Sequence, residues 1–148
     1  MKKMIDIYVD ASCYRNPGPG GVGIVVNHNG SWEERCEISI EDMTTSSKLE
    51  LMAIIEAFNL IRKRKYKARE VLIHSDSQYA LGIVEGVFLP KKNIELCNKL
   101  QDLACIFPEV KYKHIRGEEN PADIYARKAS MKAAIKLGLI FLDKANEL

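Results

Sequence analysis

The stretch Ile5-Asp-Ile-Tyr-Val-Asp10-Ala-Ser-Cys-Tyr-Arg-Asn16-Pro-Gly-Pro-Gly-Gly21 constrains the fold more than any other part of the chain. Ile5 to Val9 is apolar, β-branched and aromatic except at Asp6, the composition of a strand. It runs into Asp10. The prolines and glycines of 16–21 then neither extend a strand nor begin a helix, because proline lacks an N–H and glycine costs backbone entropy. The expectation is a carboxylate at the end of a strand, beside a loop whose backbone can approach a ligand. The alternative is an ordinary turn that contains Asp10.

The segments that follow alternate in period. Val22 to Val26 reads as a second strand, Asn27-His-Asn-Gly30 as a tight turn and Ser31 to Ile40 as a third strand, which together make an antiparallel meander. Cys36, Ile38 and Ile40 alternate with Glu37 and Ser39, so one face of that strand is expected to be wet. Ser47-Lys-Leu-Glu50 has capping-box spacing, and Leu51, Ile54, Ile55, Phe58 and Ile61 repeat at helical spacing behind it. That helix closes on Arg62-Lys-Arg-Lys65, Lys67 and Arg69, cations suited to the negative end of a helix dipole. Val71 to Ser75 is a fourth strand and Ser77 to Glu85 a short helix. Asn93 to Ala104 is a further helix that buries Ile94, Leu96, Cys97, Leu100 and Leu103, and Val110 to Ile115 is a last strand. Asn120 at an N-cap and Pro121 at the first helical position open a final helix to about Leu137, with Gly138 at its C′ position.

The order β-β-β-α-β-α-α-β-α predicts an α/β fold: a mixed sheet with helices on its faces and right-handed crossovers between parallel strands. A length of 148 residues, 47% of them hydrophobic and 28% charged, suits one soluble domain over 1–148, with 139–148 as a tail the pattern does not place. A net charge of +2 is too small to argue for nucleic acid by itself. The four cysteines include no Cys-x-x-Cys pair and read as reduced thiols of a cytoplasmic protein. No apolar run is long enough for a signal peptide or a membrane span, and no Gly-x-x-x-x-Gly-Lys-Ser/Thr phosphate loop is present.

Four acids stand at comparable places: Asp10 at the end of the first strand, Glu50 in the first turn of the first helix, Asp76 after the fourth strand and Asp123 in the first turn of the last helix. Each has a local explanation. Glu50 can complete the capping box, Asp76 can be an N-cap and Asp123 can favour a positive helix end. Together they suggest a shared site, because parallel strands deliver their C-terminal ends to one edge of the sheet. Clustered carboxylates with no neutralising lysine or arginine among them repel, and a divalent cation relieves that. Oxygen-only ligation suits Mg²⁺ or Mn²⁺, and two such ions about 4 Å apart serve an in-line phosphoryl displacement.

Asp10-Ala-Ser-x-x-x-Asn16-Pro-Gly-Pro-Gly-Gly21, Thr44-Thr-Ser-Ser-Lys-Leu-Glu50-Leu-Met-Ala53, Ser75-Asp-Ser-Gln78-Tyr79 and Ala122-Asp-x-x-Ala-Arg127 resemble, in order, the four signature blocks of type 1 ribonuclease H. The resemblance spans roughly Met4 to Ala133. It implies a five-stranded mixed sheet, three strands antiparallel and two parallel. It also implies an endonuclease that cuts the RNA strand of an RNA–DNA hybrid, leaving 3′-hydroxyl and 5′-phosphate ends. Asp10, Glu50, Asp76 and Asp123 are then the catalytic residues and bind two Mg²⁺ or Mn²⁺ ions. Ser12 and Cys13 through their backbone, with Asn16, Ser46, Ser47 and Gln78, match positions that contact the hybrid, and Thr45 matches one that holds a DNA-strand phosphate. Short polar groups of this kind suit a 2′-hydroxyl displayed across a shallow minor groove. A monomer is expected, with no membrane partner.

The chain departs from the family pattern twice. Many relatives place a histidine in the loop before the last helix, where this chain reads Arg116-Gly-Glu-Glu-Asn120; His114 lies on the preceding strand. Proton chemistry is therefore expected to run without a loop histidine, with Glu118 or Glu119 as possible assistants. Some relatives also insert a basic helix that grips the hybrid, whereas Gly86–Asn93 is short and offers only Lys91 and Lys92. Phosphate contacts dominate affinity, so weaker hybrid binding is expected than in relatives with that handle. Both departures resemble the compact subgroup of the family, some of whose members also cut double-stranded RNA. The alternatives are thus a nuclease of this fold acting on double-stranded RNA, and a non-catalytic hybrid-binding module.

Overall fold

The structure is a computed structural model that describes residues 4–66 and 70–140. Lys67, Arg69 and the tail from 141 onward lie outside the described residues. The elements run β1 (Met4–Cys13), β2 (Gly18–His28), β3 (Ser31–Thr44), α1 (Ser46–Arg64), β4 (Glu70–Ser75), α2 (Gln78–Val84), α3 (Ile94–Ile106), β5 (Lys111–His114) and α4 (Asp123–Lys136), with a 3₁₀ turn at Gly117–Glu119. They form one five-stranded sheet in the order β3-β2-β1-β4-β5. β1, β2 and β3 pair antiparallel, and β4 and β5 continue parallel to β1. This is the mixed sheet the element order predicts. Among the described residues no helix is long and apolar enough to cross a membrane.

Alternation along β1 sorts the two faces of the sheet. Ile5, Ile7 and Val9 are buried on one side with Val22, Ile24, Val71 and Ile73, and α1 covers them with Leu51, Ile54, Phe58 and Ile61. Phe58 stacks on Phe107 at 5.7 Å and meets the edge of Tyr112 at 6.5 Å, which ties α1 to the end of α3 and to β5. Ile94, expected in this core, is instead 47% exposed in the first turn of α3, which buries Cys97, Leu100 and Leu103.

On the opposite face α4 lies across β1, β2 and β3. Its buried residues, Ala126, Ala129, Ser130, Ala133 and Ala134, are all small. They rest on Gly21 and Gly23, where a Cβ would come within 2.4 Å of the Ser130 nitrogen and 2.3 Å of the Ala122 oxygen. These glycines are therefore strand residues. The expectation that 16–21 stays outside the sheet fails from Gly18 onward, because glycine there admits a helix backbone against a strand backbone. The face of β3 expected to be wet keeps Arg35 and Ser39 exposed, and α4 reaches it only at its border: Ser39 Oγ donates to the Ala129 carbonyl at 2.8 Å, and Lys132 pairs with Glu37 at 2.5 Å.

Helix ends also differ from the sequence pattern. The N-cap of α1 is Thr45, whose hydroxyl accepts from the Lys48 N–H at 3.4 Å; Ser47 lies inside the helix. α4 begins at Asp123, and Asn120 precedes it in a turn where its Oδ1 accepts from Ala122 N–H at 3.0 Å. Gly138, at φ +75°, ends α4 as expected, with the Leu139 N–H on the Ala134 carbonyl at 2.9 Å.

Candidate active site

β1 outlasts its parallel neighbour. Its register with β4 ends at Tyr8 and His74, whereas its register with β2 continues to Cys13 and Gly20. Asp10 is thus a strand residue and not a strand terminus, yet it projects past the end of β4, where Asp76 follows Ser75 directly. Asp123, the first residue of α4, comes to the same place because Asn120 is anchored there: its buried Nδ2 donates to the Val9 carbonyl at 2.8 Å. Residues 10, 76 and 123 meet through a strand, a strand end and a helix start.

Asp10 registers the crowding. Its carboxyl is pushed up from 3.8 to about 7, first by burial and then by the charge of Asp76, with the side chain of Asp123 in hydrogen-bonding reach. Only the Ala11 N–H, 2.8 Å from Oδ1, favours the ionised form.

Glu50 is the fifth residue of α1 and takes no part in a capping box, since Ser47 is not the cap. Its Oε2 accepts instead from the Ser77 hydroxyl at 2.8 Å. Ser77, and not Asp76, caps α2, accepting from the Ala80 N–H at 3.0 Å. Glu50 is therefore tethered to the residue beside Asp76.

The expectation that no cation neutralises the acids fails for Asp123. Arg127, one turn along α4, places Nε 3.1 Å from Asp123 Oδ1 and 3.0 Å from Oδ2, as i and i+4 on one helix face allow. Among the described residues, no three His, Cys, Asp or Glu side chains stand as a formed metal site. Arg127 is the partner that Asp123 would have to leave, whereas Ser77 holds Glu50 beside Asp76.

The residues expected to contact substrate cluster where β1 ends and α1 begins. Asn16 Oδ1 accepts from the Ser46 N–H at 3.2 Å, and Cys13 Sγ reaches the carbonyls of Gly18 and Thr44, both at 3.7 Å. Burial pushes the Cys13 thiol above its ordinary value, which suits a packed, un-ionised sulfur. Thr45 and Ser47 are 3.4 Å apart through their hydroxyls. The Ser12 hydroxyl accepts from Ser130 Oγ at 3.1 Å and so faces α4. Gln78 is exposed at the start of α2.

Sequence reasoning missed four supporting residues. Ser77 and Arg127 stand inside quoted motif blocks without an assigned role. Asn120 was expected to be a helix cap. Asn93, held at φ +54°, donates to Ser47 Oγ at 3.2 Å and to the Tyr79 hydroxyl at 3.3 Å; nothing local in the sequence signals that tie. His114 Nε2 lies 3.2 Å from the Asp76 carbonyl oxygen, and Gly117 passes beside the Asp76 carboxylate. An open apolar groove of about 800 Å³ runs along Tyr79, Ile83, Phe88 and Lys92 and contains none of the four acids.

A profile of the RNase H family matches residues 2–130. A ribonuclease H of Actinobacillus succinogenes is 40% identical over 94 residues, 63% of this chain and 57% of that protein. A ribonuclease H of Escherichia coli is 30% identical over 154 aligned positions, 92% of this chain and 95% of that protein. The matched part of this chain thus spans little more than half the length of the first of these relatives and nearly all of the second. Among solved structures, LC11-RNase H1, isolated from compost by a metagenomic approach and solved in complex with an RNA/DNA hybrid, superposes with a TM-score of 0.78 at 28% identity. That match covers 87% of this chain and 98% of the other.

Proposed function

The chain belongs to the ribonuclease H family, and from that premise we propose that it is a metal-dependent endoribonuclease that hydrolyses the RNA strand of RNA–DNA hybrids to 3′-hydroxyl and 5′-phosphate ends. One observation carries the proposal: Asp10, Asp76 and Asp123 converge at one edge of the sheet, where burial and then the charge of Asp76 push the Asp10 carboxyl up to about 7. An excess of negative charge with oxygen donors only is a chemistry that Mg²⁺ or Mn²⁺ satisfies. Asp10, Glu50, Asp76 and Asp123 would hold two such ions, which when bound supply the Lewis acidity that a phosphodiester displacement needs at its two ends.

The remaining roles belong to the chain's own groups. Ser77 orients the Glu50 carboxylate toward the Asp76 side through its 2.8 Å hydrogen bond. The Ala11 N–H fixes one oxygen of Asp10. Asn16, Ser46, Ser47 and Gln78, with the backbone of Ser12 and Cys13, offer short polar contacts of the sort that read 2′-hydroxyls, and Thr45 is suited to a phosphate of the DNA strand. The hybrid bound by LC11-RNase H1 supports the same substrate class here. The cysteines are free thiols, which suits the reducing cytoplasm, and the proposed enzyme acts as a monomer.

Cleavage of an end-labelled RNA–DNA hybrid, with Mg²⁺ or Mn²⁺, by the intact protein and by Asp10→Asn tests the proposal. Cutting of the RNA strand that needs metal and vanishes in the variant is expected. Hybrid binding without cutting in either metal would replace the proposal with a non-catalytic binding module. Equal cutting of duplex RNA would make hybrid specificity wrong.

A further inference from the structure

Asp123 is claimed from two sides. Its carboxylate accepts Arg127 Nε at 3.1 and 3.0 Å, and it also lies within hydrogen-bonding reach of Asp10. The other three acids are held by uncharged groups or by none. Glu50 has the Ser77 hydroxyl, and Asp10 has the Ala11 N–H. Among the described residues, Asp123 alone of the four carries a cationic partner. That partner is placed to leave: the Arg127 side chain is 73% exposed, and an exposed i, i+4 pair is weak, so a modest competing attraction separates it.

We infer that Arg127 is a built-in competitor for divalent cations at Asp123. In the metal-free protein it occupies the carboxylate. When Asp123, already within reach of Asp10, gives its carboxylate to a cation, the exposed guanidinium is set free and can take a phosphate of the hybrid in bidentate fashion. The inference rests on the proposed metal site. It carries a characteristic pair of opposite effects: loss of the guanidinium strengthens cation binding and weakens hybrid binding. A residue that only braced α4 would weaken both or neither.

Calorimetric titration of Mn²⁺ into the protein without nucleic acid provides a readout independent of activity. Arg127→Gln is expected to bind Mn²⁺ about threefold more tightly than the unaltered chain, the scale of a surface ion pair. Arg127→Lys is expected to stay close to the unaltered affinity. Lys128→Gln removes the same charge from the next residue, whose ammonium sits 5.7 Å from the Tyr125 ring centre and not on a carboxylate, and it is expected to change the affinity by much less. With Mn²⁺ saturating, the KM of Arg127→Gln for the hybrid is expected to rise about threefold. Unchanged or weaker Mn²⁺ binding by Arg127→Gln, or equal tightening by Lys128→Gln, overturns the inference and leaves the proposed function standing. If the unaltered chain takes up no Mn²⁺ that depends on Asp10, both fall together.

Discussion

Ser77 bridges two elements that the sequence separates by a whole strand: it caps α2 through the Ala80 N–H and donates to Glu50 Oε2 on α1 at 2.8 Å. One hydroxyl therefore serves stability and site geometry together. Ser77→Ala is expected to cost about 1 kcal/mol in urea unfolding, from the lost cap, and about tenfold in cleavage rate, from the freed Glu50. Ser77→Thr, which keeps the hydroxyl, is expected to restore both. A Ser77→Ala protein with full activity would mean that Glu50 needs no tether.

Asp10 makes the metal-free protein sensitive to pH in an unusual direction. Its carboxyl titrates near 7 in the folded chain against an ordinary 3.8, so folding favours the protonated form. The stabilisation is complete below the ordinary value and is lost as pH rises through about 7. Asp10→Asn abolishes the titration. In the presence of a chelator at pH 8 the variant is expected to melt about 5 °C above the unaltered protein, with the gap closing near pH 4. A gap that does not change with pH would show that Asp10 is not the group responsible.

His114 is exposed and, among the described residues, its ring reaches the backbone oxygen of Asp76, at 3.2 Å. A contact to the backbone carbonyl gives the imidazole no hold on the Asp76 carboxylate. His114→Ala is accordingly expected to retain its cleavage rate to within about twofold, below the hundredfold that general acid–base catalysis supplies. Loss of that hundredfold in a folded variant would mean that His114 has taken the role a loop histidine has in relatives.

Gly23 lies under α4, where an added Cβ would stand 2.3 Å from the Ala122 oxygen and 2.5 Å from the Ala126 nitrogen. Both obstacles are backbone, so the helix must move as a body. Gly23→Ala is expected to destabilise the fold by about 3 kcal/mol and to displace Asp123 with the helix, reducing activity even where the protein stays folded. Gly30→Ala, at the β2–β3 turn, meets nothing within 4 Å but sits at φ +89°, and it is expected to cost about 1 kcal/mol of stability while leaving the catalytic rate intact.

Periodicity made much of the element order legible, because elements such as β1 and α1 bury chiefly one face and their pattern reports that face directly. The four acids were legible as positions for a similar reason: each stands at or near an element end, where a short motif marks it. What stayed hidden depended on partners far along the chain. Gly21 reads locally as a turn residue; its place in a strand follows from Ala126, Ala129 and Ser130, more than a hundred residues later. The Ser47–Glu50 spacing imitates a capping box, yet Thr45 wins the cap and releases Glu50 to Ser77. Arg127 is visible one turn after Asp123, but only the folded geometry shows that it holds the same carboxylate that crowds Asp10.

The Asn120–Val9 hydrogen bond joins the approach to the last helix to the first strand, 111 positions apart. Until that clasp closes, residue 123 is nowhere near residue 10. The chain emerges from the ribosome with its first three acids long before the fourth, and domains generally fold as units. A partly made protein therefore carries an incomplete charge constellation. The constellation is completed late and all at once, when α4 docks against β1.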